Sequence, residues 1–89
     1  MFNFKIPDGC KQHPSKIPNV SAYDKSKSYV ENFNYALDIG GHVGTMARRL
    51  SKDFKKVTSF EPLWSDYLEA NTKDLNNIEI KRYGLGQFN

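Results

Sequence analysis

The sequence has very little cysteine and no long apolar run. Cys10 is the only cysteine among 89 residues, so an internal disulfide is excluded and a cluster of thiolate metal ligands is not expected. A chain without disulfides suits a reducing compartment, and we expect a cytoplasmic protein. No segment reaches the roughly 18 consecutive apolar residues of a membrane span, and the first residues lack the apolar centre of a signal peptide. The sequence therefore predicts no membrane association and no resident metal.

Clustered positive charge is also missing. The net charge is +3, from 13 Lys and Arg residues against 10 Asp and Glu residues, and both signs are spread along the chain. Three basic pairs, at 48–49, 55–56 and 81–82, are expected to be solvated ends of helices and strands. Nucleic-acid-binding domains usually carry a basic patch on one face, so we do not expect a nucleic-acid partner.

The chain is short and begins with a proline-rich segment. A domain of 89 residues buries only roughly 60% to 65% of its unfolded surface, so we expect a thin core. Residues 1–20 hold three of the four prolines and few periodic apolar positions, which predicts an irregular N-terminal extension. Ser21, with Asp24 three residues later, suits the start of a helix, and the apolar spacing predicts that helix over roughly 21–32.

The rest of the chain alternates between strand patterns and helix patterns. Short runs of apolar, aromatic or β-branched residues predict strands at 34–39, 56–61 and 78–83. The segments 45–54 and 63–75 carry apolar residues at helical spacing. The two predicted stripes consist of Met46, Leu50 and Phe54, and of Trp64, Leu68, Asn71 and Leu75. Strands that alternate with helices of this length predict right-handed crossovers and a parallel sheet, so the expected fold class is α/β.

The loop after the first predicted strand contains glycines at positions 40, 41 and 44. A dinucleotide-binding fingerprint needs further glycines two and five positions after the first one. Neither Gly40 nor Gly41 has glycine at these two positions, so this fingerprint fails. A phosphate-binding P-loop is excluded as well, because Gly-Lys-Ser and Gly-Lys-Thr occur nowhere in the chain.

An acidic residue stands beside this loop, and a second one follows the next strand. Asp38 lies at the end of the first predicted strand, and Glu61 comes 23 residues later at the end of the second. Ligands of open α/β sheets bind beyond the carboxyl ends of the strands, where both acids fall. Asp38 suits a cationic amino group, the glycines allow close approach to the backbone, and Glu61 suits both hydroxyls of a ribose. S-adenosylmethionine has such a ribose and such an amino-acid part.

Three short segments together resemble a known family. They are ALDIGGHVGT at 36–45, VTSFEP at 57–62 and NNIEIKRYGLG at 76–86. They look like the start of a class I S-adenosylmethionine-dependent methyltransferase of the FkbM type, in which Gly41, His42 and Gly84 would replace Ala, Asn and Ala. The resemblance implies a Rossmann-like parallel sheet with flanking helices. Residues 21–89 would then be the N-terminal, cofactor-binding half of a methyltransferase domain, the first βαβαβ half of a seven-strand fold, truncated at Asn89.

The resemblance also implies roles for single residues. The cofactor-binding residues that it implies are Asp38, Gly40, Gly41, His42, Gly44, Glu61 and Leu85. The glycines would approach the methionine and ribose part of the cofactor. Asp38 would order the loop or meet the amino group, Glu61 would hold the ribose hydroxyls, and Leu85 would wall the adenine. Leu63 or Trp64 would pack on the adenine opposite Leu85, and Trp64 has an alternative interpretation as a core aromatic. His42 would lie near the reacting centre, and it has an alternative interpretation as a solvated or backbone-bonded loop residue.

Three functions remain open from the sequence. The first is methyl transfer from S-adenosylmethionine to a hydroxyl oxygen of a small molecule or glycan. The second is a module that binds this cofactor without chemistry, and the third is a fragment of an NAD-type oxidoreductase, which the failed glycine spacing disfavours. Acceptor and catalytic groups are expected beyond Asn89, so no catalytic residue is assigned. A first strand without a neighbour on one side would expose an edge that predicts self-association.

Overall fold

The computed structural model describes residues 2–8 and 18–84. Helices and parallel strands alternate along the chain, as the sequence predicts. The elements are α1 (Pro18–Ser26), a short 3₁₀ helix (Lys27–Tyr29), β1 (Tyr35–Ile39), α2 (Thr45–Asp53), β2 (Lys56–Phe60), α3 (Ser65–Thr72) and β3 (Ile78–Lys81). No helix in this part of the chain has the length and apolar character that crossing a membrane requires.

The three strands form one parallel sheet in the order β1-β2-β3. Ala36 of β1 lies opposite Val57 of β2, which in turn lies opposite Ile78 of β3. Helix α2 contacts β1 and β2, α3 contacts β3, and α1 contacts α2. The parallel α/β architecture predicted from the alternation is thus confirmed.

The core lies between the sheet and the helices α2 and α3. The buried apolar residues are Val43, Ala47, Leu50, Val57, Phe60 and Leu68. Leu50 and Leu68 belong to the predicted stripes, whereas Met46 and Phe54 are only half-buried and Ala47 is fully buried instead. Ala47 has no exposed surface, so α2 meets the core through a short side chain, which allows the helix to pack closely.

β1 lies at the edge of the described sheet and leaves one of its faces uncovered. Tyr35, Leu37 and Ile39 alternate along this face and are 53%, 54% and 63% exposed. The open edge that the sequence predicts for the first strand is therefore present among residues 18–84. Self-association through that edge stays a prediction.

The first helix differs in its bounds from the predicted range of 21–32. It begins three residues earlier, at Pro18, where a proline suits the first turn of a helix because its missing N–H has no intrahelical partner. It ends at Ser26, whose hydroxyl donates to the carbonyl of Tyr23 at 3.1 Å. Such a local bond competes with the helical ladder, and the chain continues as a 3₁₀ helix to Tyr29.

Helix α1 is attached to α2 through Tyr23. The Tyr23 hydroxyl donates to Asp53 Oδ2 at 2.6 Å, and Arg49 bridges Asp24 at 2.7 Å and Asp53 at 3.0 Å. Burial, and then the hydrogen bond to the Asp53 carboxylate, raise the pKa of Tyr23 to about 12. Both causes oppose the phenolate, so ionisation of Tyr23 would break the attachment.

We expect alkaline pH to weaken the fold through Tyr23. The pKa is higher in the folded chain than in the unfolded one, so the stabilising effect is complete below the unfolded value near 10.0 and is lost as the pH rises towards about 12. Urea unfolding at pH 9 and pH 11 measures this loss, and Tyr23→Phe should make it smaller. An equal loss in the parent chain and in Tyr23→Phe would contradict the prediction.

Candidate functional site

The glycine loop, Gly40 to Gly44, connects β1 to α2 and bends sharply over the end of β2. The amides of Gly40 and Gly41 both donate to the carbonyl of Phe60, at 2.8 and 3.0 Å. The φ angle is positive at Gly40 (74°), His42 (54°) and Gly44 (105°). This backbone is readily accessible only to glycine at most of these positions, which explains the glycine-rich sequence.

The three glycines have different surroundings. A Cβ atom at Gly40 would meet nothing within 4 Å, so this residue faces open space. A Cβ atom at Gly41 would overlap Ser59 Oγ, and one at Gly44 would lie 3.2 Å from Thr72 Cγ2. Gly40 therefore borders the side of the loop on which a ligand has room, whereas the other two allow the loop to pack on the core.

Substitutions at Gly40 and Gly44 should reveal this difference. Gly40→Ala meets only the backbone penalty of a positive φ, so we expect a loss of about 1 kcal/mol in the free energy of unfolding. Gly44→Ala adds close contacts with α3 to the same penalty, and we expect about 2 kcal/mol or more. Urea denaturation measures both, with Gly40→Asn as the milder control since asparagine tolerates positive φ. Equal losses at the two positions would contradict this assignment.

Asp38 lies at the carboxyl end of β1 and is only 7% exposed. Its Cα pairs with that of Ser59 in the sheet, and Ser59 Oγ donates to Asp38 Oδ2 at 2.8 Å. Burial raises the pKa of Asp38, the hydrogen bond from Ser59 lowers it, and the nearby charge of Glu61 raises it again. The carboxylate is therefore held in a partly dehydrated position next to the glycine loop, where a cationic group would be attracted strongly.

Glu61 follows β2 directly and is 6% exposed. Its Oε1 accepts a hydrogen bond from the amide of His42 at 2.8 Å, and its Oε2 accepts from the amides of Leu63 and Trp64 at 2.8 and 3.0 Å. A carboxylate offers about four acceptor positions, so one remains on Oε1. Glu61 thus connects the glycine loop to the start of α3, an arrangement that the sequence did not reveal.

His42 occupies a constrained place within the glycine loop. Its φ is positive, its amide is bound to Glu61, and its ring lies edge-on to Trp64 with 6.3 Å between the centroids. Its Nδ1 is buried and has no hydrogen-bond partner among the described residues, and the same holds for Thr45 Oγ1. Buried polar atoms are usually paired, so these two are open positions for a ligand or a water.

Asn71 is a structural residue that the sequence placed only on an incomplete apolar stripe. It is fully buried in α3, and its side-chain amide donates to the carbonyls of Lys5 and Val43 at 2.7 and 2.8 Å. Its Oδ1 accepts from the amide of Lys5 at 2.7 Å. Asn71 therefore joins the N-terminal segment, the loop before α2 and α3. The sequence did carry a signal for this role, because Asn71 is a polar residue at a position where the helix pattern places apolar ones.

Four of the six residues in the basic pairs are bridged to carboxylates, whereas Lys55 and Lys56 are exposed as expected. Arg48 pairs with Asp74 at 2.6 Å, and Arg82 pairs with Asp66 at 2.8 Å and with Glu69. The two arginines of α2 are half-buried rather than solvated, contrary to the expectation for residues 48–49. Arg48 pairs with Asp74 and Arg49 with Asp24 and Asp53, so both side chains link α2 to neighbouring segments.

The residues expected around the adenine, Leu63, Trp64 and Leu85, lie outside or at the border of the candidate site that the structure describes. Leu85 lies outside the described residues. Leu63 is largely exposed and Trp64 is half-buried beside Glu61, so both stand at the border of the candidate site. Asp38, Gly40 and Glu61 come together at the carboxyl ends of β1 and β2, where the sequence places them.

No model of a known protein family matches this sequence, and no curated protein matches it. Solved structures with a similar fold include a tRNA methyltransferase from Aquifex aeolicus, with a TM-score of 0.70, 19% identity, and coverage of 97% of this chain and 35% of that chain. A coclaurine N-methyltransferase gives 0.63, 18%, 97% and 27% for the same quantities. A phosphoethanolamine N-methyltransferase from Haemonchus contortus gives 0.55, 17%, 74% and 16%.

The chain thus spans between 16% and 35% of the length of these three proteins. All three are methyltransferases by name, and two of them were solved with S-adenosylhomocysteine bound. At identities below 20% the likeness establishes the fold. The chain has a Rossmann-like α/β fold of the kind found in these methyltransferases, which confirms the predicted fold class.

Proposed function

We propose that this chain forms the cofactor-binding part of an S-adenosylmethionine-dependent methyltransferase. The observation that carries the proposal is the pair of buried carboxylates, Asp38 and Glu61, at the ends of adjacent parallel strands on either side of the glycine loop. The similarity of the fold to three methyltransferases supports it. The failed dinucleotide spacing disfavours an NAD-type oxidoreductase.

The residues present fit the chemical groups of this cofactor. Its methionine end carries an ammonium group beside a sulfonium, and Asp38 is a dehydrated anion that would attract them. The open side of Gly40 gives space for the cofactor beside the backbone. Glu61 keeps one acceptor position, which suits one ribose hydroxyl and not the two that the sequence predicts, because three backbone amides already donate to it. The unpaired His42 Nδ1 and Thr45 Oγ1 offer further polar contacts.

The bound cofactor supplies a methyl group that is already activated by its sulfonium. The work left to this chain is therefore to hold the cofactor in one orientation and to shield it from water. The glycine loop suits this purpose, because its backbone amides are hydrogen-bonded to the carbonyl of Phe60 and to the carboxylate of Glu61. Gly41 and Gly44 contribute by packing on the core, and Leu85 is proposed to wall the adenine.

The acceptor that we propose is a hydroxyl oxygen of a small molecule or glycan. This finer assignment rests on the resemblance of Phe60-Glu61-Pro62 and the glycine loop to FkbM-type methyltransferases. The similar structures carry the names of other acceptors, namely tRNA, phosphoethanolamine and coclaurine. Incubation with tritiated cofactor and separate pools of glycans, small alcohols and tRNA distinguishes these classes, and label in the tRNA alone would contradict our choice.

Calorimetric titration with S-adenosylhomocysteine tests the proposal at its base. We expect saturable binding that Asp38→Asn weakens at least tenfold, because the buried anion is removed without a change in shape. Glu31→Ala is the matched control, since Glu31 is exposed and lies outside the site. Absence of saturable binding, or tighter binding of NAD, would overturn the proposal.

A further inference from the structure

Ser59 is a buried residue of β2 whose hydroxyl contacts the acid of the candidate site. It has no exposed surface, and its Oγ lies 2.8 Å from Asp38 Oδ2. We infer that Ser59 is a positioning residue that fixes the Asp38 carboxylate for cofactor binding and that makes glycine obligatory at position 41. The inference rests on the proposed function for its cofactor part, whereas its structural part stands independently.

The orientation of Asp38 depends on Ser59. No other hydrogen bond to the Asp38 side chain comes from residues 2–8 or 18–84, so Ser59 alone selects which carboxylate oxygen turns towards the sheet. The other oxygen, Oδ1, accepts no hydrogen bond from those residues, and we assign it to the cationic group of the cofactor. Without the Ser59 hydroxyl, a buried carboxylate near the charge of Glu61 has no donor to compensate for lost water.

The space for the Ser59 hydroxyl depends on Gly41. A Cβ atom at Gly41 would overlap Ser59 Oγ and would lie 3.1 Å from both Asp38 Oδ2 and Leu68 Cδ2. The φ of Gly41 is not positive, so its backbone conformation does not require glycine. The Ser59 hydroxyl is the main obstacle to a side chain here, because an alanine at position 41 would force Ser59 to rotate away from Asp38.

Three variants separate the hydrogen bond from the space. Ser59→Ala removes the donor, Gly41→Ala displaces it, and the double variant removes both the donor and the overlap. The pKa of Asp38 is measured by carbon-13 NMR of the side-chain carboxyl, assigned with Asp38→Asn. Affinity for S-adenosylhomocysteine is measured by calorimetry from pH 5 to pH 8, and stability by urea unfolding.

We expect the pKa of Asp38 to be higher in all three variants than in the parent chain, because each variant lacks the hydrogen bond from Ser59 that lowers it. Affinity for S-adenosylhomocysteine at pH 7 should fall about tenfold or more in each, with a steeper loss towards pH 5 than in the parent chain. Stability should follow another pattern. Gly41→Ala should be the least stable, and the double variant should regain most of the stability of Ser59→Ala, because the overlap with the hydroxyl is gone and only the two 3.1 Å contacts remain.

Two results would overturn the inference. One is a parent-like pKa of Asp38 in Ser59→Ala, and the other is a double variant whose loss of stability equals the added losses of the single ones. If the parent chain itself does not bind S-adenosylhomocysteine, the proposed function fails, while the NMR titration and the unfolding measurements still decide the role of Ser59. A parent-like affinity in Ser59→Ala, with a raised pKa, would overturn the cofactor part alone.

Discussion

Glu61→Ala should both destabilise the fold and abolish binding of S-adenosylhomocysteine. The substitution leaves three backbone amides, those of His42, Leu63 and Trp64, without their shared acceptor. All three hydrogen bonds are part-buried, and loss of each one costs about 1 kcal/mol or less, so we expect the free energy of unfolding to fall by about 2 to 3 kcal/mol. Thermal unfolding followed by circular dichroism measures the loss, and calorimetry measures the binding.

The Glu61→Gln variant refines this experiment. Its side chain has the same shape but presents one N–H₂ group towards an amide that also donates, so we expect an intermediate loss. Glu31→Ala, an exposed residue outside the site, should leave the melting temperature near that of the parent chain. If Glu61→Ala kept the parent stability, the three hydrogen bonds of Glu61 would not stabilise the fold. The role of Glu61 in joining the glycine loop to α3 would then be wrong.

Asn71→Ala should destabilise the chain about as strongly. Three hydrogen bonds at 2.7 to 2.8 Å are lost, and a cavity forms at a residue with no exposed surface. The unpaired groups and the cavity together predict a loss of about 3 kcal/mol in the free energy of unfolding. Hydrogen exchange of the Lys5 amide gives a local readout, because that amide donates to Asn71 Oδ1.

Asn71→Asp tests the same site with an unchanged shape. A carboxylate would face the carbonyls of Lys5 and Val43 with no N–H to offer, so we expect a loss at least as large as that of alanine at neutral pH. Asn76→Ala, at an exposed neighbouring position, should have little effect. Parent-like exchange at Lys5 in Asn71→Ala would show that the N-terminal segment does not depend on this residue.

The fold could be predicted largely because it follows from local patterns. Alternation of strand and helix patterns is a property of neighbouring residues, and the short connections leave a parallel sheet as the expected arrangement. The convergence of Asp38 and Glu61 followed from the same topology, since both residues end parallel strands.

Other features depend on contacts between residues far apart in the chain. Asn71 bonds to Lys5 across 66 positions, and Ser59 bonds to Asp38 across 21, so neither partner is visible in a window of sequence. The end of α1 at Ser26 escaped prediction for a local reason, because a side-chain bond to Tyr23, three positions earlier, competes with a continued helix. For Glu61, residue type and place were predictable, whereas the hydrogen bond from the amide of His42 spans 19 positions and follows only from the fold.

The position of Trp64 gives this chain an optical property. Trp64 is the only tryptophan in the sequence, its amide is bound to Glu61, and its indole lies edge-on to the ring of His42. A ligand that enters beside the glycine loop alters the surroundings of a single indole. Intrinsic fluorescence of the unlabelled chain will therefore follow occupancy of the loop directly, and stopped-flow mixing can resolve its rate.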